Sequence, residues 1–159
     1  MSISKRLLSL LEKSKIKYNV VTHRKVFTVY DLAQTLKVKM NTIAKTLLVK
    51  VDREYRIIVI PAHFRLDLKK LASLLKAKKV IIAPEKDMQN KFKSKPGAMT
   101  PFGSLYKVGV VLDRSLLKLQ KPLFHAGSFT ESLRLKIKDY VKLEQPVVGA
   151  FVSSAKKKK

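Results

Sequence analysis

The chain has no cysteine among its 159 residues. Disulfides, thiolate catalysis and cysteine-held metals are therefore excluded, which suits a reducing compartment. Histidine is scarce: His23, His63 and His125 lie far apart in sequence and form no HExxH or other ligand spacing. No metal and no cofactor are expected. KPGAMTPFG lacks the Gly-Lys-Ser/Thr ending of a phosphate-binding loop, no GxGxxG follows an expected strand, and no GxSxG elbow occurs. Nucleotide hydrolysis and elbow-serine catalysis lack their signatures. No apolar run reaches transmembrane length, and the opening MSISKRLLSLLEKSKIKY breaks its leucines with charge. A cytoplasmic protein with no membrane partner is expected.

Acids are also few, 11 Asp+Glu against 35 Lys+Arg, for a net charge of +24. The four terminal lysines do not account for it, because lysines recur through KSKIK, KVK, LKK, KAKK, KFKSK and LRLKIK. A polyanion meets positive potential over much of such a surface, which makes nucleic acid the natural partner. The length and 46% hydrophobic content suit one compact domain with a real core.

Ile3, Leu7, Leu8, Leu10 and Leu11 recur at helical spacing after Ser2, a candidate cap, and predict a helix to about Lys15. Ile16, Tyr18 and Val20 alternate as in a strand. Thr28 with Asp31 resembles a capping box opening a helix through YDLAQTLKV. TLLVKV and YRIIVIPA, separated by DRE, predict a central hairpin. Asp67 predicts the cap of a third helix with Leu68, Leu71, Leu74 and Leu75 inward, followed by a strand at VIIAP and a helix with Pro84 in its first turn. Further strands are expected at YKVGVVLD, LFHA and SLRLKIK, with helices at RSLLKL and KDYVKL and a disordered tail in SSAKKKK. Strands joined by short turns argue against a pure parallel array, so a mixed α/β (α+β) domain with a curled sheet is expected.

KPGAMTPFG holds two prolines and two glycines but no acid, histidine or cysteine. Such a segment is shaped rather than reactive: it is either a surface connection or a frame presenting backbone groups. Lys45 stands at the entrance of a buried strand and either snorkels from the sheet edge or points into a site. Phe102 and Tyr106 either pack in the core or stack on an unpaired base. Ser128 has no partner that sequence identifies.

The stretches TVYDLAQTLKVKMNTIAKTLLVKV (28 to 51), IVIPAHFRLDLKKLASLLKAKKVIIAPEKDM (58 to 88), KPGAMTPFGSLYKVGVVLDRSL (95 to 116) and HAGSFTESLRLKIKDYVKLEQP (125 to 146) together resemble the YbaK-type aminoacyl-tRNA deacylases. These are related to the editing domain inserted in bacterial prolyl-tRNA synthetases, and the last stretch resembles the free-standing branch. The resemblance implies a single domain over residues 1–152, with a mixed, barrel-like sheet flanked by helices, and a basic tail at 153–159. It implies hydrolysis of the ester linking a wrong amino acid to tRNA, with the acceptor stem and 3′ aminoacyl end as partners and an aminoacyl-tRNA synthetase as a further one. Lys45 matches the family's functional lysine, near the terminal phosphate or the ester, and Thr46 follows as a pocket residue. Gly97, Pro101, Phe102 and Gly103 match the GxxxPFG loop, whose glycines let the backbone approach the ribose. Gly127 and Ser128 match the AGS segment on the opposite wall. Phe129 departs from the histidine that similar proteins often place there, which bears on the pocket's polarity. The competing expectations are a non-catalytic module that binds tRNA or a synthetase, and hydrolysis of a small free ester or amide.

Overall fold

Capping side chains set most of the helix starts. The computed structural model describes residues 3–93 and 99–154. Helix α1 (Lys5–Lys13) begins at Ser4, whose hydroxyl accepts the Leu7 N–H at 3.1 Å; the expected cap, Ser2, lies outside the described residues. After strand β1 (Tyr18–Thr22), Thr28 Oγ1 accepts the Asp31 N–H at 3.0 Å and opens α2 (Val29–Leu36). Strands β2 (Ile43–Val51) and β3 (Glu54–Pro61) form the expected hairpin. Its turn places Asp52 at φ 55°, a left-handed position that Asp tolerates better than most residues.

Strand β4 (Phe64–Leu66) leads to α3 (Leu68–Leu75), capped by Asp67, which accepts the Lys70 N–H at 3.0 Å. Each such cap contributes roughly 1 kcal/mol. Strand β5 (Val80–Ile82) ends at Pro84, which stands just before α4 (Glu85–Phe92) rather than within its first turn. Strand β6 (Gly109–Asp113), a 3₁₀ turn over Arg114–Lys118, β7 (Leu123–His125), β8 (Glu131–Leu135) and α5 (Ile137–Glu144) follow as expected. Two short strands close the chain, β9 (Val147–Gly149) and β10 (Val152–Ser154). The last corrects the expected tail: Ser153 and Ser154 pair with Arg65 and Phe64 of β4, so they belong to the fold. The four terminal lysines lie outside the described residues.

Among the described residues the main sheet runs β1-β8-β7-β2-β3-β6-β9, with β5 also paired to β2. The β7·β2, β3·β6 and β6·β9 pairs are parallel and the others antiparallel, so the sheet is mixed as expected. Its centre is buried on both faces because β3 and β6 are apolar at successive positions. Ile57, Val59, Val110 and Leu112 face a core with α1 and α5, while Ile58, Ile60 and Val111 face a second core with Leu71 and Phe151. A third cluster packs α2 residues Leu32 and Ala33 against Ile43 and Leu123. This cluster fixes the start of α2 over the first residues of β2.

Candidate active site

One edge of β2 changes partner along its length. Ile43 and Ala44 pair with Leu123 and Phe124 of β7, whereas Val49–Val51 pair with Ile82–Val80 of β5. The stretch from Lys45 to Leu48 lies in the fork between them. The Ile43 carbonyl accepts from Ala62 N–H on the β3 side, and the Leu48 carbonyl accepts from Ala83 N–H on the β5 side, each at 2.9 Å. Backbone groups alternate sides along a strand, so the N–H and C=O of Thr46 point into the fork. Pro84 and the start of α4 end β5 before it can pair with them.

A cavity of about 350 Å³ occupies the fork. Ala44, Lys45, Thr46 and Leu47 of β2 form its floor; Phe27, Thr28, Val29 and Leu32 line it from the start of α2. His23 and Val26 border it from the segment after β1, and Met88 from α4. Met99, His125, Ser128 and Ser132 complete the described wall. No carboxylate borders it among the described residues. Lys45 is half-buried and has no acidic partner among the described residues, where the one ion pair is Arg56–Glu54 on the surface. Beside it, Thr46 Oγ1 is buried with no hydrogen-bond partner among the described residues. Buried hydroxyls are nearly always paired, and of the three unpartnered buried side-chain atoms among the described residues, Thr35 Oγ1, Thr46 Oγ1 and His63 Nδ1, only that of Thr46 belongs to a residue bordering the cavity.

A histidine–hydroxyl pair forms another wall. His23 Nδ1 is 2.8 Å from the Arg24 carbonyl, and its Nε2 is 3.0 Å from Ser132 Oγ. A carbonyl only accepts, so Nδ1 carries the proton and, in the neutral ring, Nε2 accepts from the Ser132 hydroxyl. The Ser132 oxygen keeps acceptor capacity on the cavity wall. The two residues are 109 positions apart and meet because β1 pairs with β8, with Val21 opposite Ser132. Sequence spacing carried no signal for this pair. Nor did it show that His23 and His125 border one cavity; His63 instead packs on Phe64 at 3.9 Å between ring centroids. Groups of three or more His, Cys, Asp or Glu that could hold a metal ion do not occur among the described residues.

The residues expected from the GxxxPFG loop take supporting positions. Gly97 lies outside the described residues. Phe102 is fully buried against Phe124 and Tyr140, and the Pro101 carbonyl accepts the Tyr140 hydroxyl at 2.6 Å. A Cβ on Gly103 would stand 2.3 Å from the Val108 carbonyl oxygen, so Gly103 answers to a close backbone approach inside the fold. Thr100 donates its hydroxyl to the His125 carbonyl at 3.0 Å, joining this loop to the AGS wall. Tyr106, the other aromatic considered for stacking, packs on Phe92 and accepts the Thr100 N–H. These groups fix Met99 and His125 against the cavity, while Pro101, Phe102 and Gly103 do not border it.

On the AGS wall, Gly127 turns the chain at φ 74° and Ser128 Oγ accepts the N–H groups of Thr130 and Glu131, each at 3.1 Å. The turn brings Ser128 to the cavity and sends Phe129 away from it. Phe129 is buried against Phe27, with ring centroids 4.8 Å apart. The departure from histidine therefore leaves the lining polar through His23, His125 and Ser132. Below the loop, Glu144 on α5 accepts Ser104 N–H at 3.0 Å and Ser104 O–H at 2.7 Å. Burial raises the Glu144 pKa, and the Ser104 bonds oppose the rise.

The fork of this mixed sheet thus holds a lysine and an unpartnered hydroxyl, with no carboxylate among the described residues. Residues 23–143 match the aminoacyl-tRNA editing domain family, and the chain belongs to that family. The chain is 25% identical over 149 residues to the prolyl-tRNA editing protein ProX of Acetoanaerobium sticklandii, covering 90% of this chain and 91% of that one. It is 26% identical over 155 residues to the multifunctional Ser/Thr-tRNA deacylase ProXp-y of Escherichia coli K12, covering 94% and 93%. A solved structure of a candidate trans-editing enzyme for prolyl tRNA synthetase superposes with a TM-score of 0.82 at 21% identity, covering 96% of this chain and all of that one. The family, the mixed α/β fold and the aminoacyl-tRNA deacylase class implied by the sequence motifs all agree with these matches.

Proposed function

We propose that the chain hydrolyses the ester of mischarged aminoacyl-tRNA in trans, with the β2 fork as its active site. Water adds to the ester carbonyl carbon and the carbon–oxygen bond to the ribose breaks, releasing the amino acid and restoring the ribose hydroxyl. An aminoacyl ester is already activated, so positioning and polarisation supply most of what the reaction needs. The Thr46 N–H, aimed into the fork, stabilises the developing oxyanion, and Lys45 pairs with the ester or the terminal phosphate. Thr46 Oγ1 holds the attacking water or the amino-acid side chain. Ser132 Oγ, polarised by His23, accepts from the substrate's α-ammonium.

The observation that carries this reading is the buried Thr46 hydroxyl, without a partner among the described residues, beside a lysine in a cavity whose described wall has no carboxylate. The cavity volume suits a small amino acid, the kind a synthetase pocket separates poorly from its cognate substrate. The basic surface binds the acceptor stem through phosphates, leaving identity to be read near the 3′ end.

The test is deacylation of Cys-, Ala-, Ser- and Thr-charged tRNAs. Hydrolysis of a subset supports editing and names the amino acid. Salt-sensitive tRNA binding with no turnover on any substrate would instead support a binding module, and turnover of small free esters without RNA would favour the small-ester reading.

A further inference from the structure

Phe27 borders the cavity yet is 59% exposed. Its position is not a requirement of the helix start, because Thr28 caps α2 and Leu32 and Ala33 supply that helix's buried contacts. The buried ring of Phe129 supports Phe27 from the protein side, and the ammonium of Lys25 lies 5.5 Å from its ring centroid. Tyr30, three residues on, is equally exposed at the same end of α2. An exposed ring with fixed backing and an adjacent cation is the arrangement by which proteins hold an unpaired nucleobase and its phosphate.

We propose that Phe27 is the stacking platform for the unpaired 3′-terminal base of the substrate. This rests on the editing reading: an aminoacyl ester held in the fork places its ribose at the cavity mouth, and the base is one bond from that ribose. Lys25 is exposed, so its ammonium can leave the ring for the neighbouring phosphate as the base arrives. Phe129 then serves as the buttress of the platform. The other exposed apolar side chains, such as Val147, Val148, Ile81 and Ile82, do not border the cavity.

The test uses the whole protein and uncharged tRNA carrying 2-aminopurine as its terminal base, whose fluorescence falls on stacking. Quenching is expected with the parent and with Phe27→Tyr and is lost in Phe27→Ala, with thermal melts confirming that each variant folds. On a mischarged tRNA that the parent hydrolyses, Phe27→Ala raises KM about tenfold, within the range of one base–aromatic stack, and Phe27→Tyr restores it. Equal quenching in the parent and Phe27→Ala, or none in the parent, overturns the platform even if deacylation is normal. Phe27-dependent quenching without turnover of any mischarged tRNA keeps the platform and rejects the editing reading.

Discussion

Thr46 joins two opposing demands in one side chain. Its buried hydroxyl has no partner among the described residues, and leaving such a group unpaired costs about 1–3 kcal/mol. Thr46→Val keeps the branched shape that suits a strand and removes the orphan. Stability is expected to rise by about 1 kcal/mol in denaturant unfolding, while single-turnover deacylation slows at least about tenfold. A variant that is both more stable and fully active would show that the hydroxyl has no part in the reaction. Ser132→Ala removes the partner of His23 and is expected to weaken substrate binding about tenfold, measured as KM, through the loss of one charge-assisted acceptor. These residues illustrate what sequence could convey. Lys45 and Thr46 were singled out by the family resemblance of their strand, and both border the cavity. Ser132 and His23 were not, because only the β1·β8 register brings them together.

Elements with strong local signals were the most readable. The β2–β3 hairpin follows from two apolar runs around a turn, and Thr28 and Asp67 announce α2 and α3 as caps. Strands β4, β9 and β10 span three residues each, too few to show a period of two. The fork itself follows from where β7 and β5 stop, a feature of pairing rather than of pattern. At this scale Pro101 and Ser104 act as a brace, tied to α5 through Tyr140 and Glu144. Phe102→Ala is expected to cost about 3–5 kcal/mol in unfolding experiments, the range for truncating a fully buried aromatic side chain. Glu144 gives the brace a pH signature. Its pKa is raised in the folded protein, chiefly by burial, so its stabilising contribution is present below its unfolded value and is lost as pH rises through the raised one. The stability of the parent relative to Glu144→Gln should therefore decline as pH climbs above the ordinary glutamate range. A flat difference across thermal melts would contradict that.

Over the whole molecule, a net charge of +24 surrounds a cavity whose described wall holds no carboxylate. Binding of tRNA is expected to weaken steeply with salt, with log affinity falling linearly in log salt because lysines that neutralise several phosphates release the counterions held there. A salt-independent affinity would place the interface elsewhere than on the lysine-rich surface. On the proposed reading the charge recruits the tRNA and the fork holds its ester, so Lys45, a cation bordering the cavity, is the residue to test. The most direct test is single-turnover deacylation of the best mischarged tRNA by the parent and by Lys45→Ala, with tRNA binding measured on both. The variant is expected to fold, to bind tRNA still through the remaining basic surface, and to lose at least about a hundredfold in rate, the scale of one removed electrostatic stabiliser. Equal rates in the two proteins would contradict the placement of the active site in the β2 fork.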